Sequence, residues 1–303
     1  MRAPVFTGAC PALVTPFRPG GAVSYDCLAQ LLDEQIAAGV DAVCAVGTTG
    51  EGATLTPQEH IAVVGFCVRY VAGRVKVIAG AGSNDTAKAA ALSQRLEEAG
   101  ADALLHVTPY YNKTTQAGLI QHYQYIASRT ELPIILYNVP SRTGLSFTAE
   151  TYQALSREPK INGVKEASGD LSLVARTRRL CGDDFYIWSG NDEQTVPMMA
   201  LGAKGVISVA ANIVPGLMVK IAHLCLEGRS AEAAELQLRH GPLLEALSLE
   251  VNPIPVKTAL ELMGREVGGL RLPLCALSPA HREELRSVLE AEGLLPGGKA
   301  PLS

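Results

Sequence analysis

The stretch Ile161-Asn162-Gly163-Val164-Lys165-Glu166-Ala167-Ser168-Gly169 decides how the rest of the chain is read. It is an apolar, glycine-containing segment of strand length that stops at the small-residue turn Ser168-Gly169-Asp170. The periodic run Leu171 to Leu180 that follows predicts a helix. Side chains alternate along a strand, so Lys165 points to the opposite face from Val164 and Glu166. In a parallel sheet covered by helices, such a lysine has little freedom to reach water. A lysine kept from water loses charge stabilisation, and its neutral amine is a nucleophile toward carbonyls. The bland alternative is a lysine that snorkels from a strand end or pairs with a carboxylate, the commoner fate when such a stretch stands alone.

Working outward, the same unit recurs. Strand-like segments are Gly8 to Val14, Asp41 to Val46, Val75 to Ala79, Ala103 to Val107, Pro133 to Asn138, the Lys165 strand, Phe185 to Ser189, and Gly205 to Val209. Helical patterns follow them, with N-caps at Ser24 and at Thr56 before Pro57 and further starts at Asp85 or Thr86, Thr115, Thr148 and about Pro215. Repeats of strand then helix at spacings of about 25–30 residues predict a closed (β/α)8 barrel, of the TIM type, rather than an open doubly wound sheet. Residues 1–229 form this barrel in the reading. Residues 230–303 read as an appended helical region (231–239, 242–250, 255–263 and 279–292) with no core of its own, packed on the barrel or on a neighbouring subunit. The tail Pro296-Gly297-Gly298-Lys299-Ala300-Pro301 reads as disordered.

The 303 residues are 48% hydrophobic and 18% charged, with a net charge of -4, which suits a sizeable core and argues against a nucleic-acid partner. No apolar run approaches the roughly 18–20 residues that span a bilayer, and the first residues lack a signal-peptide core. A soluble cytoplasmic protein is expected. Its seven cysteines form no C-x-x-C pair and its six histidines no H-x-x-x-H pair, so buried reduced thiols are expected and a metal site is not.

In such a barrel, chemistry sits in the loops after the strands. After strand two comes Gly47-Thr48-Thr49-Gly50-Glu51, where small residues let N–H groups converge on an anion and two hydroxyls can bind a carboxylate or move protons. It is either that or a tight glycine turn; it is no Walker loop, because no Gly-Lys-Ser/Thr follows. Tyr110 and Tyr111 follow strand four, Tyr137-Asn138 ends strand five, and Arg142 lies in the next loop. Singly these read as core tyrosines and a solvated arginine. Together they suit chemistry on a small anionic carbonyl compound: amine attack by lysine, proton transfer by tyrosine, and carboxylate binding by the glycine-threonine turn and by arginine.

Four segments, Gly47 to Glu51, Thr108-Pro109-Tyr110-Tyr111-Asn112-Lys113, Tyr137 to Gly144 and Gly163 to Ala167, resemble the dihydrodipicolinate synthase / N-acetylneuraminate lyase family. Gly205-Val206-Ile207-Ser208-Val209 and Asn252-Pro253-Ile254-Pro255-Val256-Lys257 match as well, and the resemblance runs in order from about Gly8 to Leu295. It implies Schiff-base condensation of pyruvate with (S)-aspartate 4-semialdehyde, with no metal or organic cofactor. It makes Lys165 the imine-forming amine and Tyr137 the proton donor and acceptor. Thr48 and Tyr111 complete a relay, Tyr111 reaching in from a neighbouring subunit. Thr49 and Ile207 bind pyruvate, mainly through main-chain groups, Arg142 holds the semialdehyde carboxylate, and Gly190 lines the pocket. A homotetramer built as a dimer of dimers is implied too.

Feedback-sensitive members bind lysine at positions matching Asn84, Tyr110, His60 and Ala53, with an acid where this chain has Lys88 and often a histidine where it has Pro57. That departure leads us to expect weak or absent lysine inhibition. The alternatives are another pyruvate-dependent aldolase or lyase acting on a sugar acid or hydroxy-oxo acid, from which Arg142 within Ser-Arg-Thr-Gly discriminates, and a ligand-binding paralogue without turnover.

Overall fold

The computed structural model describes residues 2–297. The elements in chain order are β1 Gly8–Pro11, α1 Tyr25–Ala37, β2 Ala42–Ala45, α2 Pro57–Val71, β3 Lys76–Gly80, α3 Thr86–Glu98, β4 Ala103–Val107 and α4 Gln116–Ala127. There follow β5 Ile134–Asn138, α5 Pro140–Thr143, α6 Ala149–Leu155, β6 Ile161–Glu166, α7 Leu171–Cys181, β7 Tyr186–Ser189, α8 Thr195–Ala200, β8 Gly205–Ser208 and α9 Pro215–Leu226. The chain then runs through α10 Ser230–Arg239, α11 Gly241–Ala246, α12 Ile254–Leu262 and α13 Pro279–Ala291. All eight strands are parallel and form one sheet. A bridge from Ala12 to Cys44 and the bond from Leu13 N–H to the Cys44 carbonyl (2.9 Å) join its two ends. This is the (β/α)8 barrel expected.

Local chemistry sets the turns that carry the loops. At the start of α2, the Thr56 hydroxyl accepts from Glu59 N–H while the Glu59 carboxylate accepts from Thr56 N–H, with Pro57 in the first turn. Asp85 accepts from the N–H groups of Ala87 and Lys88 and so starts α3, and Asp170 accepts from Leu173 N–H to start α7 directly after the Lys165 loop. Sequence reading missed α5, a four-residue turn opened by Pro140 and closed by Gly144 at φ +64°. It also extended α11 to Glu250, whereas the helix ends at Ala246.

Alternation sorts the strand residues into two layers. Cys10, Cys44, Ile78, Leu105, Ile135, Trp188 and Ile207 fill the barrel axis with Tyr137, while Val164, Leu136 and Ile187 face the helices. Apolar residues of α11, α12 and α13 belong to the same continuous cluster as the outer layer and α9. Cys10, Cys27, Cys44 and Cys67 are buried, and all seven cysteines are unbridged. No helix among the described residues is long and apolar enough to cross a membrane. The disorder expected of the tail lies, from Gly298 onward, outside the described residues.

Between β4, α3 and α4 sit two buried imidazoles. His106 bonds Ser93 Oγ (3.1 Å) and His122 bonds Thr86 Oγ1 (2.9 Å). Burial pulls their pKa values down, to about 3 for His106 and about 4 for His122. An unfolded histidine titrates near 6.5. Below that pH the unfolded chain binds protons that the folded chain refuses, so stability falls as pH drops. The slope reaches up to about 1.4 kcal/mol per pH unit for each imidazole. Unfolding midpoints measured at pH 7 and pH 5 should show this fall, and a His106→Gln/His122→Gln variant should show a shallower one.

Candidate active site

The register of β5 against β6 places Tyr137 opposite Lys165 and Asn138 opposite Glu166. Alternation then turns the first pair inward and the second pair outward. Inside, Lys165 is 5% exposed, and its Nζ stands 4.5 Å from the centre of the Tyr137 ring. The lysine ion pairs of the described residues belong to Lys76, Lys160 and Lys257, so the amine of Lys165 is not tied to a carboxylate. Gly190, after β7, makes room for it. A Cβ at Gly190 would lie 2.6 Å from Ala167 Cβ and 3.2 Å from Lys165 Cε.

Outside the barrel wall, the same strand ends are clipped together by a carboxylate. Glu166 accepts from Asn138 Nδ2 (2.9 and 3.1 Å), Tyr152 Oη (2.8 Å) and Ser168 N–H (2.9 Å). Burial pushes the Glu166 carboxyl above its ordinary value, against the pull of those donors. Sequence reading passed over Glu166. Its signal was the alternation itself, which puts the neighbour of an inward lysine among the covering helices.

A cavity of about 770 Å³ opens at the C-terminal ends of the strands, and Thr48, Tyr137, Arg142 and Asn252 line it. Thr49 is only 2% exposed, and its hydroxyl accepts from Asn252 Nδ2 (2.9 Å). Arg142 Nη2 donates to the Asn252 carbonyl (3.0 Å). Ile207 is fully buried on β8, inside the barrel. Tyr111 is elsewhere. It sits at φ +67°, is 92% exposed and does not line its own chain's cavity.

The same cavity reaches Ala53, His60, Lys88 and Tyr110. Asn84 lies behind them, donating to the Tyr110 carbonyl (3.2 Å). His60 Nε2 bonds the Gly80 carbonyl (2.7 Å), and burial lowers its pKa.

The C-terminal helices hold the strand-two loop. Glu51, at φ +53°, forms a fully buried ion pair with Lys257 of α12 (2.7 Å) and accepts from Arg271 N–H (2.9 Å). Lys257 also donates to the Gly269 carbonyl (2.8 Å) and lies 4.3 Å from the centre of the Phe17 ring. Burial lowers the Lys257 pKa, and the Glu51 carboxylate opposes that shift. No group of three or more His, Cys, Asp or Glu side chains among the described residues is placed to hold a metal ion.

A (β/α)8 barrel with an unpaired buried lysine against a tyrosine, beneath a cavity lined by hydroxyls and an arginine, has the make-up of an imine-forming enzyme. The chain belongs to the Dihydrodipicolinate synthetase family, whose model matches residues 5–292. It is 50% identical over 293 residues to the 4-hydroxy-tetrahydrodipicolinate synthase of Thermoanaerobacter sp. (strain X514), covering 96% of this chain and 98% of that one. It is 48% identical over 291 residues to the synthase of Caldicellulosiruptor saccharolyticus, covering 96% of this chain and 98% of its relative. The crystal structure of dihydrodipicolinate synthase from Thermotoga maritima superposes with a TM-score of 0.94 at 42% identity, covering 96% of this chain and 100% of that chain.

Replacing Lys257 by methionine strands the Glu51 carboxylate in the interior, and the expected cost is about 3–5 kcal/mol. Urea unfolding of Lys257→Met should show that loss. The double variant Glu51→Gln/Lys257→Met should recover much of it.

Proposed function

We propose that this chain condenses pyruvate with (S)-aspartate 4-semialdehyde to give 4-hydroxy-tetrahydrodipicolinate, the first committed step of lysine and diaminopimelate biosynthesis. The observation that carries the reading is the Lys165 amine, buried, unpaired and set against Tyr137. The name the relatives share supplies the product, and the family resemblance supplies the two substrates.

The chemistry follows from the placement. The amine of Lys165 adds to the pyruvate ketone and loses water, which leaves an imine. A methyl proton then departs, and the resulting enamine carbon attacks the aldehyde of the second substrate. The substrate's own amino group displaces the lysine, closing the ring and freeing Lys165. Each step moves a proton. Tyr137 lines the cavity with Thr48, and its hydroxyl serves as donor and acceptor, with Thr48 and Tyr111 as its relay. Thr49 and Ile207 hold the pyruvate carboxylate end, Gly190 leaves space for the imine, and Arg142 holds the carboxylate of the semialdehyde.

The exposed, positive-φ Tyr111 supports assembly. A non-glycine residue in that conformation costs energy, and a bulky ring left in water gains nothing for it. We place it in a neighbouring subunit's site within a homo-oligomer, a dimer of dimers, working in the cytoplasm. Lys88 faces the cavity shared by Ala53, His60 and Tyr110, with Asn84 behind, and its cation opposes the amino group of a lysine ligand.

Consumption of both substrates, read through a coupling reductase, tests the function. Lys165→Ala should lower turnover at least about a thousandfold, and Tyr137→Phe about a hundredfold. Pyruvate binding without consumption of the semialdehyde would reassign the chain to another aldolase. Mixing inactive Tyr111→Phe subunits with inactive Lys165→Ala subunits should restore activity, because a hybrid dimer regains one whole site; no recovery on subunit exchange puts Tyr111 in its own chain's site. Lysine at sub-millimolar concentration should leave the rate unchanged.

A further inference from the structure

Asn252 touches both carboxylate-binding side chains, although it belongs to the segment before α12, far from either in sequence. Its Nδ2 donates to Thr49 Oγ1 (2.9 Å), and its main-chain carbonyl accepts from Arg142 Nη2 (3.0 Å). Its Oδ1 is buried without a protein partner, and the residue lines the cavity beside Thr48, Tyr137 and Arg142. A hydroxyl has one proton to give and two lone pairs. The bond from Asn252 is the only one made by the Thr49 hydroxyl among the described residues, and there the oxygen accepts. The Thr49 proton is therefore committed to another direction. Thr49 is itself buried, so the acceptor for that proton comes from whatever enters the cavity.

We infer that Asn252 is a positioning residue that sets the polarity of the pyruvate site: by donating to Thr49 it holds that hydroxyl as a donor to the keto-acid carboxylate. The inference rests on the proposed function. A carboxylate at position 252 reverses the polarity at unchanged size. It accepts the Thr49 proton and sets a negative charge beside an anionic substrate. The Arg142 contact is made to the main chain of Asn252 and survives side-chain replacement, so the effect falls on one substrate.

The test is steady-state kinetics of N252D and N252A, each alone and with Thr49→Val. N252D should raise KM for pyruvate about ten- to a hundredfold, the scale of a hydrogen bond to a charged group, and leave KM for the semialdehyde within about twofold. With Thr49 already valine, N252D should add less than it does alone. A general loss of folding lowers the apparent kcat and the unfolding midpoint and leaves KM unchanged, and N252A, which adds no charge, should then still raise KM for pyruvate while sparing KM for the semialdehyde. An N252D enzyme with unchanged KM for pyruvate, or with both KM values raised alike in a stably folded protein, overturns the assignment. Absence of turnover in the unmodified enzyme is the separate failure of the underlying function.

Discussion

The register between β5 and β6 is the constraint from which the site follows. One pairing sets Tyr137 against Lys165 inside the barrel and Asn138 against Glu166 outside it. A slip of one residue would turn Glu166 toward the axis and Lys165 toward the helices, because strand side chains repeat with period two. The Asn138–Glu166–Tyr152 hydrogen bonds oppose that slip from the outer face. Gly163 opposes it from the inner one: a Cβ there would lie 1.9 Å from the Tyr186 carbonyl oxygen, so only glycine lets β6 lie this close to β7. The pair is thus placed by main-chain pairing, and neither side chain needs an ion pair to hold it in position.

Hydroxyls and charges at the mouth are placed by a different device. The strand-two loop holds Val46 and Glu51 at positive φ, a conformation that non-glycine residues adopt only when their surroundings demand it. Those surroundings come from the far end of the chain. Lys257 neutralises Glu51, the Arg271 N–H caps its second oxygen, and Asn252 bonds Thr49. The helices after the barrel therefore take part in the site itself. A buried ion pair adds little net stability over an apolar substitute, but breaking one is costly. That asymmetry makes Glu51 and Lys257 a means of fixing one loop conformation.

Much of this was legible in the sequence. The eight repeats, the inward face of Lys165, the cap at Thr56 and the helix starts at Asp85 and after Asp170 all rest on local patterns that tertiary structure did not override, whereas Ser24 precedes α1 without a side-chain capping bond. The cavity positions of Thr48, Tyr137 and Arg142 were legible because a parallel barrel gathers strand ends at one rim. The Glu51–Lys257 pair was not, although both residues stood in recognised motifs. No periodicity links positions 206 apart in the chain. Nor was α5 legible, since a four-residue turn has no stripe to detect. Tyr111 illustrates a different gap: the role proposed for it needs a neighbouring subunit, and one chain places it in solvent.

Borohydride reduction in the presence of pyruvate, followed by peptide mapping, tests the central claim most directly. One reduced pyruvyl group per chain is predicted, on the peptide that carries Lys165, and none in Lys165→Ala. An adduct on another lysine, such as Lys257, or undiminished turnover in Lys165→Ala would contradict the account.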